Sequence, residues 1–221
     1  MRRNNLRIAF LTAAIALGTA AQSTPGFSAT PQRLVYEVHH SRYGAIGTYT
    51  NAVEKTGDAT TVTTEAHIRV SLLGIVFYRQ DAARQERWAG DRLVAFRGVT
   101  TVNGRAIEMT GEAEGDMFVM MSPEGDIVAP ASVRLANPWS PSVLRGDTIL
   151  TPDRGRMENV QVKNGEDADV MLNGRTVRAK RYEIDRLDGN KRYDIWLDAR
   201  GTPVKFSVYN PNGTITFTLE A

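Results

Sequence analysis

The stretch that decides the fold is C-terminal: VRAKRYEIDRL at 177–187, DG at 188–189, KRYDIWL at 191–197, RG at 200–201, PVKFSVY at 203–209, NG at 212–213 and TITFTL at 214–219. Runs of six to eleven residues rich in Val, Ile, Thr, Tyr and Phe alternate with glycine-containing pairs that tolerate positive φ, as antiparallel hairpins do. The alternation places Tyr193, Ile195 and Leu197 on one face and Arg192, Asp194 and Trp196 on the other. Val204, Phe206 and Val208 likewise oppose Lys205, Ser207 and Tyr209. A meander with one apolar and one wetter face follows.

Working outward, the same rhythm reaches back to Gln32. Asn103-Gly104, Asn164-Gly165 and Asn173-Gly174 add three more turn signals between strand-like runs. Leu34–His40 is expected to pair with a run over 45–54. The run 60–73 puts Val62, Thr64, Ala66, Ile68 and Val70 on one face, with Thr61, Thr63, Glu65, His67 and Arg69 on the other. Residues 75–88 include DAARQER, which by propensity suits a short helix; the turn-like Ala89-Gly90-Asp91 that follows favours a strand. Residues 136–147 break the rhythm with Pro138, Trp139 and Pro141, and predict a crossover or lid in which Ser140-Pro141 starts one helical turn. The fold class is therefore all-β: a single curved antiparallel sheet or incomplete barrel built from hairpins, with one short helix or lid loop.

The N-terminus has a different character. Arg2, Arg3 and Arg7 precede the apolar run at 8–17, and small residues follow at 18–21. This predicts a signal peptide over 1–21, a loose leader over 22–31 and one β domain over 32–221. The apolar run is short of the roughly 20 residues a bilayer-spanning helix needs, so no transmembrane anchor is expected after cleavage. Localisation is expected to be periplasmic or secreted, with Arg2-Arg3 leaving the export route open. The chain carries 27 basic and 25 acidic residues. Without the three signal arginines the domain is near neutral, which argues against nucleic acid as a partner. There is no cysteine, which excludes disulfides, thiol catalysis and cysteine zinc sites.

The strand LVYEV at 34–38, the GAIG hairpin at 44–47 and the ending YDIWLD at 193–198 with GTPVK at 201–205 resemble an uncharacterised family of exported bacterial proteins, itself similar in fold to lipoprotein carriers. The resemblance implies a curved sheet around an apolar cavity, with a loop or short helix over the opening. Those carriers pack helices into the sheet, and here only residues 137–146 suit that role.

Catalytic chemistry has little to stand on. No Gly-x-Ser-x-Gly elbow, phosphate loop, dinucleotide fingerprint or HExxH spacing occurs, so neither cofactor nor metal is expected. His39 and His40, adjacent on one strand, point to opposite faces, and His67 falls on a polar face. Glu166, Asp167 and Asp169 read as a solvated acidic turn, and Arg145, Arg154 and Arg156 as a loop paired with Asp147 and Asp153. The reading reached is an exported protein that holds an apolar or amphiphilic molecule. Val62, Ile68, Val70, Ile195 and Leu197 are the candidate lining, and Trp139 is a ligand contact or a plug at one end of the sheet. Its partner is a lipid or other amphiphile. The alternatives are an envelope module that binds another protein, and an envelope hydrolase.

Overall fold

A computed structural model describes residues 30–189 and 191–220; the expected signal segment lies outside them. Sixteen strands run in chain order: β1 (Gln32–His40), β2 (Gly44–Thr56), β3 (Ala59–Leu72), β4 (Ile75–Ala89), β5 (Arg92–Val102), β6 (Arg105–Glu114), β7 (Met117–Met121), β8 (Ile127–Pro130), β9 (Arg134–Leu135), β10 (Thr148–Thr151), β11 (Arg156–Val162), β12 (Glu166–Leu172), β13 (Arg175–Arg186), β14 (Arg192–Leu197), β15 (Pro203–Asn210) and β16 (Gly213–Leu219). No α-helix occurs among the described residues. Pro141–Leu144 form a single 3-10 turn, capped by the Ser140 hydroxyl, which accepts from the Ser142 N–H.

The strands form one sheet in the order β8-β7-β6-β5-β4-β3-β2-β1-β16-β15-β14-β13-β11-β10-β9, with β12 alongside β13. Every pairing is antiparallel except the short β9–β10 contact. The two edge strands, β8 and β9, are joined by only three residues, 131–133. That linker draws the ends of the sheet together, and the result is a strongly curved, incomplete barrel.

Hairpins dominate because turn chemistry specifies them. Asn103-Gly104 and Asn173-Gly174 both adopt positive φ at both positions, the conformation that suits two-residue hairpins. Asn164-Gly165 behaves differently: β11 and β12 both pair with β13, so this dipeptide links two strands lying end to end along one partner. Gly165 has ordinary φ, and a Cβ there would lie 2.6 Å from the Tyr182 ring, so the residue serves close approach of a side chain. The DAARQER segment is strand, as its turn signals require, and forms the second half of the 15-residue β4.

The inward face of β3 is the expected one: Val62, Thr64, Ala66 and Val70 are buried and Ile68 partly so. The outer face of β14 is not the wet face that alternation suggests. Asp194 and Trp196 are both buried there. Arg181, donating to Asp194 Oδ2 from Nε (2.9 Å) and Nη2 (2.6 Å), and Tyr209, donating to the same oxygen at 3.1 Å, cover the carboxylate. Trp196 packs with Val170, Leu172, Ala179 and Val204 in a small cluster of its own.

Candidate functional site

Two larger clusters fill the inside of the barrel. One is a close-packed core of Val62, Trp88, Leu93, Phe96, Phe118 and Leu150 with their neighbours. The other gathers Tyr36, Val38, Tyr49, Ala66, Val70 and Ile195 with residues of β10, β11 and β13. The second cluster surrounds a cavity of about 590 Å³, a size that suits a small-molecule site. Small side chains help to leave this space: Ala66 of β3 sits opposite Ala82 of β4 and buried Tyr49 of β2.

A buried polar girdle separates the filled half from the hollow one. Asn137, in the crossover between β9 and β10, accepts at Oδ1 from the Tyr49 hydroxyl (2.8 Å) and from Asn51 Nδ2 (2.9 Å). Its own Nδ2 donates to Thr64 Oγ1 (3.1 Å) and to Glu86 Oε1 (2.6 Å). The other oxygen of Glu86 accepts from the indole N–H groups of Trp88 (2.9 Å) and Trp139 (3.0 Å). Burial pushes the Glu86 carboxyl up from its ordinary value, while the donors from Asn137 and the two tryptophans pull it back down. The crossover is thereby latched across the barrel interior, and the 3-10 turn brings Val143 into the cavity wall.

The mouth of the cavity lies at the end of the barrel formed by the β1–β2 and β3–β4 turns. The pairing of β1 with β2 skips Ile46 between Val38↔Gly47 and His39↔Ala45. This bulge turns Ile46 into the cavity wall. Gly47, at φ +150°, carries no side chain because a Cβ would fall 1.8 Å from the His67 carbonyl oxygen. His40 points inward and is buried, accepting at Nδ1 from the Arg42 N–H at 3.0 Å. Desolvation, helped by Arg42 and His39, lowers its pKa. Tyr43 and Phe77 pack edge to face at 5.3 Å on the rim.

The residues singled out from sequence separate. Ile68, Val70 and Ile195 line the cavity. Val62 belongs to the filled core, and Leu197 is buried in the cluster around the cavity without facing the open space. Trp139 packs on Trp88, with ring centroids 5.9 Å apart, and closes the filled half. His39 is exposed, and His67 lies on the outer face bonded to Asp81 at 3.0 Å. Among the described residues no group of three metal-ligating side chains occurs. The three loop arginines are dispersed. Arg145 pairs with Asp91, Arg156 with Glu124, and Arg154 lies beside the cavity with Asp153. Glu86, Asn137 and Tyr49 carry the girdle; for Glu86 and Tyr49 the sequence signal is a polar group at an inward strand position, while Asn137, in the crossover, has no such pattern to mark it.

With this geometry in view, residues 36–220 match the family described as a domain of unknown function, DUF6134. The chain belongs to this family. No match was found among curated proteins. A solved structure similar to the DUF6134 chain is titled a beta-barrel-like protein of domain of unknown function DUF1849 from Brucella abortus. It aligns with a TM-score of 0.60 and 13% identity, over 86% of this chain and 95% of that one. At that identity the likeness speaks to the fold alone, and it agrees with an incomplete barrel.

Proposed function

We propose that the protein binds an apolar or amphiphilic molecule inside the hollow half of its barrel. The observation that carries the reading is the cavity itself, about 590 Å³ and walled by side chains such as Ile46, Ile68, Val70, Ile195 and Phe206. The apolar part of this wall favours hydrocarbon over water, because water against it finds few polar partners. The polar groups at the edge, Gln80, Asp153, Arg154 and Lys191 among them, suit a ligand with one hydrophilic end. The signal-like segment at 1–21 supports a role for this activity outside the cytoplasm, as a periplasmic or secreted carrier of lipid or another amphiphile.

Native mass spectrometry of the protein purified from its own compartment without detergent tests this directly. A stoichiometric adduct that solvent extraction identifies as an amphiphile is the expected result. A clean apo mass, unchanged after incubation with envelope lipid extract, sinks the reading.

A further inference from the structure

Residues 70–78, VSLLGIVFY, form the tip of the β3–β4 hairpin and contain no charge. Large apolar side chains here stand in solvent: Leu72 is 60% exposed, Leu73 94% and Ile75 71%, and Val76 and Phe77 are each 46% exposed. Contiguous exposure of this kind marks an interaction site on a soluble protein. The turn does not explain it. Leu73 and Gly74 have positive φ (51° and 82°), as Asn103-Gly104 and Asn173-Gly174 do in this same chain. Asparagine tolerates that conformation far better than leucine. Leu73 therefore meets neither a packing need nor a backbone need.

The base of the tip is basic. Arg69 and Arg79 are directly opposed across the two strands, both exposed, and like charges so placed repel. Arg42, also exposed, precedes Tyr43, which packs on Phe77. Asp81 accepts from Arg79 Nε at 2.7 Å and is shared with His67. The neighbouring β5–β6 turn is tied to Arg79, whose backbone N–H donates to Asn103 Oδ1. The tip therefore projects beyond that turn by four residues, about 13 Å at strand rise. An apolar projection with a cationic collar is complementary to a bilayer with anionic headgroups, where the side chains enter the acyl boundary and the arginines meet phosphate.

We propose that the β3–β4 hairpin tip docks the protein on an anionic lipid surface, with Leu72, Leu73, Ile75 and Phe77 inserted and Arg42, Arg69 and Arg79 at the headgroups. Phe77 and Tyr43 are also on the cavity rim, so docking turns the mouth toward the bilayer. The inference stands on the exposed tip and does not require the cavity to be occupied.

The test is co-sedimentation of the purified protein with vesicles of phosphatidylglycerol and phosphatidylcholine, against phosphatidylcholine alone. The protein is expected to bind the anionic vesicles. Leu73→Asp with Ile75→Asp should weaken partition by about a hundredfold, and Arg42→Ser or Arg69→Ser by about fivefold each on anionic vesicles only. A Leu73→Trp variant should show a blue-shifted emission on adding vesicles, which keeps the proposal testable if the double aspartate variant folds poorly. Absence of binding to anionic vesicles, no spectral shift, or a double variant that binds like the parent overturns it. So does a tip-dependent dimer in solution that ignores vesicles. Native mass spectra of the same samples report cavity occupancy separately, so docking and ligand carriage can fail independently.

Discussion

Truncating Asn137 to alanine should unlatch the crossover from the barrel. The change deletes four hydrogen bonds, two accepted from Tyr49 and Asn51 and two donated to Thr64 and Glu86. Thr64 keeps its bond to Asn51 Oδ1 at 2.7 Å, so the groups stranded are the Tyr49 hydroxyl, the Asn51 amide and Glu86 Oε1. Each stranded buried group costs about 1–3 kcal/mol, and water admitted to the vacated space restores part of it, so the net loss should be about 4 kcal/mol. With a urea m-value of about 2 kcal/mol/M for a domain this size, the midpoint should fall by about 2 M. Trp88 and Trp139, both bonded to Glu86, report the transition by fluorescence. Removing the Asn137 donor also lets burial raise the Glu86 pKa further. A carboxyl whose folded pKa lies above its unfolded one contributes stability at low pH that is lost as pH rises through the folded value. The deficit of the variant should therefore deepen as pH rises above the ordinary carboxylate range. A loss below about 1 kcal/mol, or a deficit that shrinks as pH rises, would refute the latch.

Gly47→Ala should be among the most damaging single-methyl changes in the chain, because the new Cβ meets backbone, the His67 carbonyl, at 1.8 Å and no rotamer can relieve it. Loss of about 3 kcal/mol or more, or failure to fold, is expected in a thermal melt. Ala66→Phe places a ring in the hollow half; it should leave the melting temperature within a few degrees while cutting uptake of a fluorescent fatty acid about tenfold or more. Asp194→Ala leaves Arg181 and Arg192, each about a third exposed, without their shared carboxylate. The expected cost is about 2 kcal/mol in urea unfolding, discounted for solvent reaching both guanidinium groups.

The sheet was legible because period-two alternation and turn dipeptides are local properties. The inward set from Val62 to Val70 on β3 and the final four-strand meander follow from them directly. Alternation failed on the outer face of β14, where Asp194 and Trp196 are buried by neighbours on the convex side. Arg181 and Tyr209 reach over Asp194, and β12 brings Val170 and Leu172 to Trp196. That β12 lies end to end with β11 along β13 depends on Asn164-Gly165 being a link instead of a hairpin turn, and the dipeptide reads the same in either role. The hairpin tip is illegible in the sequence for a related reason. The run Ile75–Phe77 is as apolar as a core strand, and only the pairing that ends β5 opposite Gln80 leaves it projecting past the neighbouring turn.

The hollow and filled halves show most sharply where local sequence stops being informative. Val62 and Val70 are the same residue type, on the same strand and the same inward face, eight positions apart. One is fully buried in a close-packed core and the other walls a cavity. What differs is the company: Trp88, Phe96 and Phe118 fill the space around Val62, while Ala66 and Ala82 leave space next to Val70. Between them the crossover passes through the barrel, and a crossover backbone in an apolar interior needs polar partners. The Asn137 side chain supplies the crossover's link to the wall: Asn51, Thr64 and Glu86, inward-facing polar residues that would be costly in a uniform core, bond its amide and hold it in place. The girdle therefore explains both features at once: it bounds the filled core on one side, and by anchoring the crossover at that level it keeps the chain from collapsing into the space on the other.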